Sequence, residues 1–388
     1  MTLLAPHRRA VTEFDAEALI KEAKRLRRRR WMRAGLVVVL AAAASGLGLA
    51  LSRTPTGHAV SVSKGTSPAT SDVASAGPIV SPKTPQALAV GPGGSLYVVD
   101  GGRDQILRYL PDGRFQVAAG DGKNGFSGDG GQAIDAEIHD VSAIAVAKNG
   151  TVYLADEGNG RVREILPDGI IETVAGGGTV PLGMKPVAAL SASFGGPSSL
   201  FGLAIGPNGE LYIGTSAIYR LSSNGMLDWV VGSGARDLNK GSDGFMSNPA
   251  FQIDFTQAGP LAVDGKGDLL VAGGYGFGLY ERTTTGKLRF LENDRCEGNL
   301  RGSLAAAPDG TVVLAGLERF HPSGSITPIA AHGLRTVLGP NNEFITGDGV
   351  AVAPNGDIYL DADAGWFSSV SAIVEVSPNG HVSMVWKS

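Results

Sequence analysis

The sequence predicts an all-β protein: a six-bladed β-propeller preceded by a single transmembrane helix. Three observations predict it. A strand–turn–strand unit recurs six times, the composition is rich in Gly and poor in charge, and an uncharged run of 19 residues follows a basic block.

The chain has 57 Gly and 21 Pro in 388 residues. Gly and Pro together stay below the roughly 25–30% of low-complexity disorder, while Gly alone runs at twice its usual ~7%. Charged residues are 18%, against a usual ~25%. These figures exclude a disordered chain and a coiled coil, and suit a turn-rich β protein. Cys296 is the only cysteine, which excludes an intrachain disulfide framework and a Cys-based metal cluster.

Residues 1–33 form a basic tail with net charge +6, and the remainder carries −10. Arg25, Arg27, Arg28, Arg29, Arg30 and Arg33 directly precede the apolar run 34–52. As a helix that run would span about 28 Å, near the hydrocarbon thickness of a bilayer. Arg beside a span stays on the cytoplasmic side. The expected topology is a single-pass protein of the cell membrane, held by a signal anchor at 34–52, with a cytoplasmic N-terminus and an extracytoplasmic propeller. The alternative is a cleaved signal peptide, since Ala50-Leu51-Ser52 offers small residues to a peptidase. A polar leader of about 33 residues is long for one. Residues 53–84, rich in Ser, Thr, Pro and Ala, read as a stalk.

The propeller is assigned to 85–388. Its six inner hairpins begin at Leu88, Ile144, Leu203, Leu261, Leu304 and Val350, and turn at Gly94, Gly150, Gly209, Gly267, Gly310 and Gly356. The second position of each is alanine: Ala89, Ala145, Ala204, Ala262, Ala305 and Ala351. Six small residues in register imply a crowded inner ring. Each unit continues with a third strand, a second turn at Asp-Gly, Asn-Gly, Thr-Gly or Ser-Gly, and a fourth strand. Such dipeptides supply the positive φ of tight hairpins. Four strands per ~45–60 residues is the size of a propeller blade. The ring closes either by packing alone or with an edge strand from 78–80 or 58–63.

Residues 120–178 hold a GFSGDGG insert and then Tyr153, Asp156, Asn159, Arg161, Val162, Arg163 and Gly169. This stretch resembles an NHL repeat of the bacterial, teneurin-like form. Blade one keeps Tyr97 and Asp100 but has Gln105 where Arg161 stands; blade six keeps Tyr359 and Asp361; blades three to five lack the Asp. The resemblance implies six blades and a binding or scaffolding role, with relatives that are often membrane-anchored extracytoplasmic sensors. Asp156 and Arg161 are expected to fix the turn between the second and third strands through hydrogen bonds and a salt bridge.

Turns within hairpins are short, whereas the connections at 121–140, 177–200, 233–259 and 362–369 are long and share the opposite face. Elaborated loops on a plain scaffold are where binding usually lives. The binding-face candidates are Phe126, Asp129, His139, Phe194, Phe201, Phe245, Asp348, Trp366 and Phe367. The aromatics among them either anchor a partner or cover the ring of blades. No catalytic residue is assigned. The favoured function is a non-enzymatic binding or sensor module for a protein, peptide or envelope ligand outside the cytoplasm.

The alternative is a propeller enzyme of lactonase, strictosidine-synthase-like or lyase type with a metal in the channel. The channel ring would be Gln86, Ser142, Phe201, Gly259, Gly302 and Asp348. One carboxylate and no His make a poor metal site; Glu137, His139 and Asp140 could add ligands just outside it. No cofactor is expected. Calcium is the ion that Asp121, Asn124 and Asp129 would take, but their spacing departs from a calcium loop. The −10 outer region disfavours nucleic acid.

Overall fold

A computed structural model describes residues 77–195, 200, 202–232, 258–273, 279–292, 304–307, 309–314, 318–321, 325–329, 349–363 and 371–388. All belong to one compact unit, Ala69–Ser388. Among the described residues no helix is long and apolar enough to cross a membrane. The expected tail 1–33, anchor 34–52 and the stalk up to residue 76 lie outside them.

The described strands form six antiparallel meanders of four strands each, at 85–119, 141–176, 202–231, 258–292, 304–328 and 350–387. Their inner strands are Pro85–Val90, Val141–Val146, Gly202–Ile205, Ala258–Val263, Leu304–Ala306 and Val350–Val352. Each inner strand touches the next in order, and the sixth touches the first. The ring is therefore closed.

The turns follow from local chemistry. The first-hairpin glycines Gly94, Gly150, Gly209, Gly267, Gly310 and Gly356 all have φ between 82° and 90°, a region open to Gly without a Cβ penalty. In blades two, five and six the Asn or Asp before the glycine reaches two residues on, as where Asn149 Oδ1 accepts from the Thr151 amide at 3.1 Å, and Asp168 Oδ1 does the same for the Ile170 amide at 3.2 Å in a second turn. These side chains close the turns without help from the rest of the fold.

The core is divided among the blade interfaces. Six apolar clusters lie one at each interface, and each draws side chains from two neighbouring blades. Both faces of each sheet are thus covered, which is why these strands are so apolar. Ala89, Ala145, Ala204, Ala262 and Ala351 are buried and Ala305 is half-buried, as the crowded inner ring requires. A β-bulge recurs between the third and fourth strands in five blades, at Ile106/Leu107, Val162/Arg163, Ile218/Tyr219, Leu279/Tyr280 and Ile373/Val374. Bulges add twist to the outer strand. One register position alternates in sign round the ring. Opposite Tyr97, Tyr153, Tyr212, Leu270, Val313 and Tyr359 stand Arg108, Glu164, Arg220, Glu281, Arg319 and Glu375. Adjacent blades therefore carry unlike charges at this position.

Closure uses packing and an added edge together. Ile79 and Val80 pair with Gln116 and Phe115 on the outer strand of blade one, so 78–80 supplies the edge strand. Blades six and one pack through Ala351, Ile373, Leu88 and Val98. Trp386 Nε1, on the last strand of blade six, donates to Ser81 Oγ at 3.0 Å. Residues 79–81, expected to belong to a stalk, are thereby part of the propeller. Blade three gains an edge in the same way, where Val187–Ala188 pairs with Met226 and Leu227. On blade two the bridge between Gln132 and Ile170 does this. Short added strands of this kind cover backbone groups that would otherwise invite edge pairing.

Tyr219 sits between blades two and three with 1% of its surface exposed, and burial pushes its hydroxyl up to about 12. In the unfolded chain a tyrosine ionises near 10. Between pH 10 and 12 the unfolded chain therefore loses a proton that the folded one keeps, and stability falls through that window. The loss at pH 12 from Tyr219 should be about 2–3 kcal/mol. Urea unfolding of the wild type and of Tyr219→Phe at pH 8, 10 and 12 checks this. The variant should lose less, and parallel losses would refute the assignment.

Candidate functional site

The insert before blade two is built into the fold. The Gly130 amide donates to Ile171 O, the Ile171 amide to Gly131 O and the Ala133 amide to Gly169 O, so the insert runs along the outer strand of blade two. It then turns through Ala133–Asp135 and reaches blade one, where the Gly120 amide donates to Ala133 O and the Asp121 amide to Ala136 O. The connection from blade two to blade three repeats the device. Its turn is Ala189–Ser191, the Ala189 amide donates to Gly225 O, and Ala189 and Ala192 are buried as Ala133 and Ala136 are.

Arg163 holds the insert. It leaves the third strand of blade two just past the bulge and is fully buried. Nε and Nη2 donate to Asp129 Oδ1 at 3.0 and 2.7 Å. Nη2 also donates to Ser127 O at 2.8 Å, and Nη1 donates to Glu137 O at 2.9 Å and Asp156 Oδ2 at 3.4 Å. Asp129 Oδ2 accepts from the Thr173 amide at 3.2 Å and from Thr173 Oγ1 at 2.6 Å. Asp156 Oδ1 accepts from the His139 amide at 2.9 Å and from Asn159 Nδ2 at 2.8 Å. Burial pushes the Asp156 carboxyl above its ordinary value, against the His139 amide and the Arg163 charge. In blade one Asp100 does the equivalent work, accepting from the Lys83 and Thr84 amides at 2.9 and 2.8 Å. The Asp that ends the second strand thus catches the chain as it arrives at the inner strand.

One part of an expectation is corrected. Asp156 and Arg161 face each other across the turn and each hydrogen-bonds Asn159 within it, but the ion pair of Asp156 is with Arg163. Arg161 Nη1 donates to Asn159 O at 2.7 Å, and its Cζ lies 3.8 Å from the centre of the Phe126 ring. Arg163 Cζ lies 5.1 Å from the same ring. Gly177, at φ 76°, crowds the Arg161 guanidinium: a Cβ there would come within 2.9 Å of Nε, Cζ and Nη2.

The candidates from the sequence separate accordingly. Phe126 is 41% exposed beside Arg161. Both oxygens of Asp129 are taken by Arg163 and Thr173. Phe194 is buried between blades two and three and covers the ring there. His139 gives its backbone amide to Asp156 and its carbonyl to the Gly158 amide, and its Nε2 lies 3.2 Å from Asp140 Oδ2. Glu137 accepts from Arg163 through its carbonyl, and its carboxylate lies beside Gly125. Among the described residues no group of three His, Cys, Asp or Glu could hold a metal, so Glu137, His139 and Asp140 do not converge as ligands. Asp121 is engaged by the Lys123 amide and Nζ at 2.9 and 2.6 Å, which hold its carboxyl below the ordinary value. In the channel ring, Ser142 Oγ donates to Leu200 O at 2.9 Å, Gln86 lies against Gly101, and Gly259 lies in the inner strand of blade four. Phe201, Phe245, Gly302, Asp348, Trp366 and Phe367 lie outside the described residues.

The sequence did not single out the exposed apolar side chains of the connection between blades two and three. Val180, Met184 and Leu190 are 42%, 59% and 62% exposed. Leu182, Val187 and Ala189 stand among them, so no alternation of apolar and polar residues sets the three apart. A parallel pairing of Val180–Pro181 with Ala192–Ser193 shapes the connection that carries them.

The family model for the teneurin NHL domain matches residues 116–166, the stretch that contains the insert, the Arg163 clasp and most of blade two. This match and the six-bladed ring together support an NHL-repeat β-propeller. Among solved structures the propeller is similar to a streptogramin B lyase, at 12% identity and TM-score 0.47 over 79% of this chain and 83% of that one. It is similar to virginiamycin B lyase from Staphylococcus aureus, at 14% identity and TM-score 0.45 over 78% and 84%. It is also similar to a gluconolactonase from Xanthomonas campestris, at 13% identity and TM-score 0.44 over 80% and 87%. Likeness of this degree says nothing of activity.

Proposed function

We propose that this NHL propeller is a membrane-anchored extracytoplasmic binding or sensor module, and that the face bearing its long connections takes a protein, peptide or envelope ligand. The observation that carries the reading is the exposure of Val180, Met184 and Leu190 together on one such connection. The buried Ala189, Ala192 and Phe194 hold that connection against the blades. Exposed apolar side chains on a rigidly seated loop are a common mark of an interaction surface. The opposite face supports it by contrast, since its turns are short and close on their own Gly, Asn and Asp. The anchor 34–52 would keep the module at the membrane.

A photo-crosslinking amino acid placed at Met184 in intact cells tests the reading, with Asn208 on the short-turn face as control. Adducts at 184 that disappear in Val180→Ser/Leu190→Ser are the expected result. Adducts equal at both positions, or at neither, would overturn it.

A further inference from the structure

We infer that Arg161, stacked on Phe126, is a carboxylate-binding site for the acidic side chain of a peptide partner. The inference deepens the binding reading above and rests on it.

The two neighbouring arginines of blade two are used in opposite ways. Arg163 is buried and commits its N–H groups to Asp129, Asp156 and two carbonyls. Arg161 is half-buried and commits one donor, to Asn159 O, and no carboxylate of the described residues pairs with it. Its guanidinium is nonetheless held in place. The Phe126 ring lies 3.8 Å away, the Asn159 carbonyl fixes Nη1, and Gly177 leaves just the room it needs. A guanidinium ordered before binding loses little side-chain entropy on taking a ligand, and its remaining N–H groups match a carboxylate in a bidentate fork. Phe126, 41% exposed, adds an apolar wall beside the fork.

The charge around the site selects among anions. The chain beyond residue 33 carries −10, and the Glu137 carboxylate lies beside Gly125, next to Phe126 in the chain. A polyanion or a doubly charged phosphate meets that repulsion with more charge than a single carboxylate does. The site also lies on the connection face. Gly177, which crowds Arg161, opens the segment that carries Val180, Met184 and Leu190. A partner with an apolar stretch and a nearby carboxylate fits both.

The test is calorimetric titration of the purified full chain at fixed ionic strength. The probes are a blocked glutamate-containing tetrapeptide, its glutamine counterpart and inorganic phosphate. The glutamate peptide should bind and the glutamine peptide should not. Arg161→Gln should weaken binding at least tenfold. Arg161→Lys, which keeps the charge without the fork, should weaken it about three- to tenfold. Phe126→Leu should weaken it several-fold with an unchanged melting temperature, which keeps the test readable if an Arg161 variant folds poorly. Equal binding of the two peptides, unchanged binding in Arg161→Gln, or displacement by equimolar phosphate would each overturn the site. Those results leave crosslinking at Met184 standing. Loss of that crosslinking with intact peptide binding would instead overturn the broader reading.

Discussion

Replacing Arg163 with methionine should destabilise the propeller by about 3–5 kcal/mol, the range for breaking a buried ion pair from one side. The side chain is fully buried, and its removal leaves Asp156 without a counter-charge in a site that is 0% exposed. It also frees Asp129 Oδ1 and the Ser127 and Glu137 carbonyls. Arg163→Lys should recover little, because an ammonium cannot span Asp129, Asp156 and two carbonyls at once. The defect should depend on pH. Burial already raises the Asp156 carboxyl, and Arg163 opposes that rise. Without Arg163 the folded-state value climbs further above the unfolded one. A raised carboxyl lowers stability above its folded value, and the penalty fades as the group protonates. The variant should therefore lose more stability at pH 8 than at pH 5 relative to the wild type. Urea midpoints at the two pH values measure this, and a loss under 1 kcal/mol at pH 8 would show that the clasp is dispensable.

Removing residues 1–84 should cost at least about 3 kcal/mol more than removing residues 1–76. The difference lies in eight residues that close the ring. The Lys83 and Thr84 amides bind Asp100, which is 0% exposed and otherwise has Arg103 Nε at 3.4 Å. Stripping donors from a buried carboxylate incurs its desolvation penalty, about 1–3 kcal/mol or more for a charged group. Ile79 and Val80 pair with the outer strand of blade one, and Ser81 accepts from Trp386 on blade six. Their loss uncovers one edge and loosens the six–one interface. Equilibrium unfolding of the two truncated chains decides it, and equal midpoints would show that inter-blade packing alone closes the ring. Trp386→Phe should give a smaller loss, about 1 kcal/mol, for one hydrogen bond.

These two sites differ in how far the sequence exposes them. Gly150, Asn149 and Thr151 announce a hairpin because the turn depends on three adjacent residues and nothing else. A glycine at positive φ recurs at this turn in every blade, so the repeat and the ring of alanines are readable without a structure. Arg163 was readable as a member of a motif, but its partners were not. Residues 161 and 163 share a face of the strand, and only the path of the insert decides which one reaches Asp129. The GFSGDGG stretch stands out in the sequence as an insert, but its seat on blade two does not. Its pairing with Gly169 and Ile171 joins residues about 40 positions apart, and no local signal carries that register.

By itself, then, the sequence determined the number of blades, the turns, the apolar strands, the crowded inner ring and the division of charge between a +6 tail and a −10 remainder. Each of these is a property of neighbouring residues or of composition. The tertiary structure decided which acid pairs with which arginine, how residues 78–80 help close the ring, and that Phe194 is buried while Phe126 and Met184 are exposed. Those outcomes depend on where distant segments meet, because burial and charge pairing are set by three-dimensional neighbours rather than by spacing along the chain.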